Sequence, residues 1–162
     1  MTAARTLVLG LGNPVLRDDG VGWHVTRALR ARRNREPGVV IEECCRGGLA
    51  LMERMVGYER VIVIDALRSG APPGTLVELG VGDLPTQHSA SAHDVSLQTA
   101  LAVGRAAGAN LPLDPDVRLL GIEADDTETF SESCTPPVAA AVDRAVEHVQ
   151  AALDRERSPA WP

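Results

Sequence analysis

Hydrophobic positions along this chain form short continuous runs that alternate with longer stretches spaced three and four apart. The runs at 5–10, 39–43, 60–66 and 116–122 are rich in Val, Leu and Ile. Unbroken apolar runs of this length suit parallel strands buried on both faces. The clearest is Val61-Ile-Val-Ile64, which ends in Asp65. Another strand, 75–79, follows a Pro/Gly turn over 68–74, and a connection that short allows an antiparallel strand. Helical spacing marks 19–33, with Val21, Val25, Ala28 and Leu29 on one face, until Pro37 and Gly38 break it. A short helix is expected over 48–56, ending at Gly57. A polar loop over 80–92 leads to a helix that His93 or Asp94 opens and that runs through 107. The last helix, 135–153, carries the stripe Val138, Val142, Ala145, Val149 and Leu153, with Pro136 and Pro137 in its first turn. This alternation predicts the α/β class. We expect one three-layer domain over 1–157, with a mostly parallel twisted sheet of about five strands and helices on both faces. Residues 158–162 read as a frayed tail.

Composition narrows the function more than the fold. Aromatic residues are 2% of the chain, so the core is aliphatic and stacking platforms for single-stranded nucleic acid are missing. A formal charge of -6 argues further against a nucleic-acid partner. All 16 basic residues are arginine, which excludes a P-loop lysine, a Schiff-base lysine and a serine–lysine dyad. No apolar stretch has the length of a signal h-region or a membrane span, so a cytoplasmic protein without membrane insertion is expected. Cys44, Cys45 and Cys134 are odd in number and include a vicinal pair, which suits half-buried thiols in a reducing compartment better than a disulfide framework or a zinc knuckle. Nothing suggests an obligate interface, and a monomer is expected.

Candidate chemistry gathers at strand ends. The stretch Gly10-Leu-Gly12-Asn13-Pro14, followed by Asp18-Asp19-Gly20-Val21-Gly22, turns the first strand into the first helix. Its glycines permit a sharp turn and close backbone approach. Position 15 is Val, so the dinucleotide-binding fingerprint fails. One aspartate of the pair is expected to cap the helix, and Asp18 is assigned that role; Asp19 is left free for chemistry. Asp65 stands at the carboxyl end of the central strand. His93 follows the polar loop, with His88 as its competitor, whereas His24 and His148 fall within helices and read as surface residues. Glu123, ending the last strand, is a weaker candidate for the crevice rim, against the plainer reading of a solvated turn acid. A parallel sheet brings Asp19, Asp65 and His93 to one edge, where open α/β sheets place their sites. Two carboxylates and an imidazole suit a borderline divalent ion and leave coordination positions open.

These motifs resemble the hydrogenase maturation peptidases, which trim the C-terminal extension from the large subunit of nickel–iron hydrogenases. The resemblance lies in Gly10 to Pro14 with Asp18 to Gly22, in Gly47-Gly48 with the helix to Met55, in Val61 to Ala66, and in His93-Asp94 with Leu97. It implies a phosphorylase/hydrolase-like α/β fold. It also implies that Asp19, Asp65 and His93 engage nickel carried by the substrate precursor, with no tightly bound organic cofactor. Asp19 and Asp65 become the catalytic candidates, with the choice of general base open, and Gly10, Gly12, Asn13, Gly47 and Gly48 shape the turns around the substrate. Many relatives carry Asp-Gly-Gly-Thr where this chain has Arg46-Gly47-Gly48-Leu49, a segment linked to the choice of hydrogenase, so the class of hydrogenase served stays open.

Three other readings compete. Peptidyl-tRNA hydrolases share Gly-Leu-Gly-Asn-Pro, but the Gly, Tyr and Thr-Arg-His-Asn features that follow in that family are missing here. A non-catalytic chaperone would sense metal loading with the same three residues. An inactive scaffold would use its aspartates as helix caps, and substituting them would change stability alone.

Overall fold

Strand β1 (Thr6–Leu11) runs into a tight turn and helix α1 (Val21–Arg32). Then follow β2 (Val39–Cys44), α2 (Gly48–Met55), β3 (Arg60–Leu67), β4 (Leu76–Gly80), α3 (Leu97–Ala106), β5 (Val117–Glu123) and α4 (Pro136–Arg155). The structure, a computed structural model, describes residues 5–33, 36–83 and 96–155. Strand order is β2-β1-β3-β5-β4. The first three pairings are parallel, and β4 runs antiparallel to β5.

The antiparallel strand is where the short turn pointed, but its partner is β5 and not the strand before it. Gly74 N–H donates to the Glu123 carbonyl at 2.8 Å, and Glu123 N–H donates to the Thr75 carbonyl at 2.9 Å, which clips the incoming chain to the far side of β5.

Alternation along the strands explains the unbroken apolar runs. Val8, Ile62, Ile64, Leu120 and Ile122 pack with α1 and α4, while Leu7, Leu9, Val61, Val63 and Leu119 pack with α2 and α3. Each fully buried Leu, Ile or Val contributes roughly 1.5–3 kcal/mol. The stripe on α4 packs as expected, with Val138, Ala145, Val149 and Leu153 buried against the first of these faces.

Two helix starts differ from expectation. Helix α1 begins at Val21, after a single 3-10 turn over Arg17–Gly20, so both aspartates precede the helix. Helix α3 begins at Leu97, capped by Ser96, whose Oγ accepts from Thr99 N–H at 3.2 Å; a serine provides the cap expected of Asp94. His88, His93, Asp94 and the frayed tail expected at 158–162 lie outside the described residues. Among the described residues no helix is long and apolar enough to cross a membrane. Cys44, Cys45 and Cys134 are unpaired; Cys44 is buried, Cys45 exposed and Cys134 half-buried.

Candidate active site

Sheet order reverses between β1 and β3. From β1 the chain steps outward to β2, then returns to the other side of β1 as β3. The carboxyl ends of strands flanking such a reversal open into a crevice, the usual ligand position in this architecture. The turn after β1 carries Asp19, and β3 ends around Asp65. Backbone contacts draw the two segments together. Helix α1 rests its first turn directly on the strand ends: a Cβ on Gly22 would lie 2.4 Å from the Ile64 carbonyl oxygen and 2.7 Å from that of Leu11. A Cβ on Gly10 would lie 2.5 Å from the Gly22 carbonyl oxygen. Both positions therefore accept only glycine, for space.

The turn itself is built around Asp19. Gly12 has φ +139°, and a Cβ there would sit 1.9 Å from the Asp19 carbonyl oxygen. Asn13 donates its N–H to Asp19 Oδ2 at 2.8 Å, while its own Oδ1 accepts from Val15 N–H at 3.1 Å. The expected turn-shaping roles of Gly10, Gly12 and Asn13 thus have distinct physical causes. Gly12→Ala combines a forbidden φ with a backbone collision, and we expect it to cost about 2 kcal/mol or more. Chemical denaturation checks this, and an unchanged midpoint would mean that the turn relaxes freely. On the second segment, Gly48 opens α2 with φ +59°, a left-handed value, while Gly47 precedes it at the cap position with open space around its Cα.

Asp65 is half-buried at the end of β3, its Oδ1 accepting the Ala66 N–H at 2.8 Å. Burial and, after it, the negative charge of Asp19 push its carboxyl up to about 7, against the opposing effect of the Ala66 hydrogen bond. The two acids are therefore near enough to repel. Asp19 keeps a fixed orientation through Asn13, and Asp65 holds a proton close to neutral pH. A pair of this kind can take a cation between its members or exchange a proton with a reactant. His93, the third expected member, lies outside the described residues, and among those described no group of three or more His, Cys, Asp or Glu is gathered as a metal site.

Asp18 has a different task from the one expected. It caps no helix; the cap position of α1 is Gly20, with no side-chain hydrogen bond. Asp18 is instead fully buried. Its Oδ2 accepts from the N–H groups of Asp125 and Asp126 at 2.9 Å and from Thr135 Oγ1 at 2.7 Å, and its Oδ1 accepts from Thr135 N–H at 2.7 Å. The partners are more than a hundred residues away, out of reach of a local capping argument. Glu123 likewise is no solvated turn acid. It is 2% exposed and takes the N–H groups of Ser69 and Gly70 and the Ser69 hydroxyl at 2.7–3.1 Å. Burial opposes ionisation of both acids, yet these hydrogen bonds hold both below the usual carboxylate range. Both tie loops to the crevice edge. His24 and His148 are at the surface as expected, His24 against the Glu132 carbonyl and His148 against Glu78.

Fold and site together define a doubly wound α/β protein with an acidic pair at its switch point. The family model described as hydrogenase maturation protease, HycI, matches residues 23–152. The hydrogenase 2 maturation protease of Escherichia coli is 30% identical over 161 residues, covering 98% of this chain and 96% of the relative. Among solved structures, the hydrogenase maturating endopeptidase HybD from E. coli superposes with a TM-score of 0.78 at 29% identity, over 93% of both chains. An endopeptidase from E. coli solved in solution gives 0.79 at 31%, over 95% of this chain and 94% of that one. This chain belongs to the hydrogenase maturation protease family and is a hydrolase of the peptidase class.

Proposed function

We propose that this protein removes the C-terminal extension of a nickel–iron hydrogenase large-subunit precursor, and that it recognises nickel already inserted in that precursor through Asp19, Asp65 and His93. The observation that carries this reading is the approach of Asp19 and Asp65 at the switch point, where the first turn of α1 rests on the ends of β1 and β3; burial, and after it the charge of Asp19, raises Asp65 to about 7. A divalent ion brought by the substrate removes that repulsion and converts a strained pair into a favourable one. Loading and recognition are coupled because an unloaded precursor leaves the two acids opposed. Asp19, oriented by the Asn13 N–H, suits a fixed ligand. Asp65, poised near the working pH, suits proton transfer from the attacking water as its oxygen adds to the scissile carbonyl, with the proton passing on to the departing amine. The metal polarises that carbonyl or the water. The protein acts on this precursor as a cytoplasmic monomer, without nucleic acid.

The test incubates the protein with nickel-loaded and nickel-free precursor and measures the mass of the large subunit. A mass loss confined to the loaded precursor is expected. Equal cutting of both would remove nickel recognition, and tight binding with no mass change would make the protein a chaperone.

A further inference from the structure

The chain has two Trp, one Tyr and one Phe, and that single phenylalanine, Phe130, is 83% exposed. A large ring left in water forgoes the burial that would make it worth having in a fold. It would mean little on a slack loop, but the connection between β5 and α4 is held from several sides. Asp18 binds it at Asp125, Asp126 and Thr135. Asp126 Oδ1 accepts from the N–H groups of Glu128 and Thr129 at 2.9 and 3.0 Å. Ser131 pairs in parallel with Leu16: Arg17 N–H donates to the Ser131 carbonyl at 2.9 Å, and Ser131 N–H to the Val15 carbonyl at 3.0 Å. Phe130 and Val15, itself 42% exposed, each directly precede a member of that bridge. An apolar pair is thus held out to solvent by the turn that carries Asp19.

The surroundings are acidic. Asp125, Glu128 and Glu132 are exposed and flank Phe130 along the loop, while the arginines joined to the loop are engaged, Arg17 with Asp126 at 3.4 Å and Arg68 with Thr127 at 2.8 Å. A polypeptide with its scissile bond at Asp19 continues in both directions from that bond. Val15 lies four residues before Asp19 in the same turn, which keeps it within about 14 Å of that acid. We propose that Val15 and Phe130 form the docking surface for the precursor polypeptide, taking an apolar side chain from a basic segment that flanks the cut. The inference rests on the peptidase reading above. Aromatic anchors in rigid settings dominate interface energetics, and the acidic surround steers a basic partner to them.

The test measures KM and kcat/KM on nickel-loaded precursor for the wild type, Phe130→Ala, Phe130→Leu, Glu128→Arg and Leu113→Ser. Leu113 is 66% exposed just ahead of β5, at the opposite edge of the sheet, and serves as the control. Phe130→Ala is expected to raise KM about tenfold, with an unchanged thermal midpoint because the exposed ring leaves no cavity. Phe130→Leu should recover most of that loss, Glu128→Arg should raise KM at low salt, and Leu113→Ser should match the wild type. A wild-type KM in Phe130→Ala overturns the docking surface and leaves the peptidase intact. A wild-type KM in Glu128→Arg overturns the basic character of the segment. A wild type that leaves the precursor's mass unchanged overturns the peptidase reading, and the docking with it.

Discussion

Asp65→Asn is expected to abolish trimming of the precursor while making the protein more stable at neutral pH. The two effects have one cause. In the fold the Asp65 carboxyl is raised from an ordinary 3.8 to about 7 by burial and then by Asp19. An acid raised on folding favours the native state while protonated. Its contribution is therefore complete below about pH 4, where it is neutral in both states, and declines as the pH rises toward 7. Above 7 the ionised group is a constant penalty, on the order of 4 kcal/mol at about 1.4 kcal/mol per pH unit. Asparagine keeps an oxygen for the Ala66 N–H and carries no charge to repel Asp19. Thermal unfolding of the two proteins should coincide near pH 4 and separate in favour of the variant up to pH 8. Over the same substitution kcat should fall about 10²–10⁴-fold, the loss typical of a removed acid–base group. An inactive scaffold would show the stability change alone, and equal midpoints at pH 8 would mean that Asp65 is not strained.

That combination is the usual signature of a site whose function is incompatible with its most stable sequence. The placement of its two acids is legible in the sequence. Asp65 ends a run of four β-branched residues, which fixes it to a strand end, and Asp19 lies in a glycine-marked turn. Periodicity and turn chemistry are local signals, and both survive in the structure. The order β2-β1-β3-β5-β4 is not local, but the α/β alternation constrains it to a mostly parallel sheet whose parallel strands all end at one edge. What sequence reading misplaced depends on distant partners. Strand β4 chooses β5 over β3 because Gly74 and Thr75 are clipped to the Glu123 backbone. Glu123 reads as solvated because its ligands, Ser69 and Gly70, sit more than fifty residues earlier.

The vicinal aspartates separate these two kinds of information most sharply, and Asp18→Ala should be among the most damaging single changes in the protein. Asp18 is fully buried and accepts four hydrogen bonds, three of them from backbone N–H groups at 2.7–2.9 Å. Removing the carboxylate leaves those donors without a partner in a site closed to water. At about 1–3 kcal/mol for each unsatisfied group, partly relieved by relaxation, the loss should reach about 3–5 kcal/mol, a large share of the about 5–15 kcal/mol that holds a domain together. Burial would raise this acid, but the hydrogen bonds outweigh it and hold it below its ordinary 3.8. Its stabilisation is therefore complete above about pH 4 and is lost as the pH falls through the folded-state value. Asp18→Asn should accordingly flatten the acid limb of the stability profile, which urea unfolding between pH 2 and 7 measures. Asp19→Asn, one residue on, should leave that limb in place and remove activity. Asp18 touches no substrate; it fixes the turn that presents Asp19 and the loop that presents Phe130 to each other. A variant that still folds in the cold should therefore process the precursor with a raised KM. A normal KM in folded Asp18→Ala would mean that turn and loop keep their relation without it.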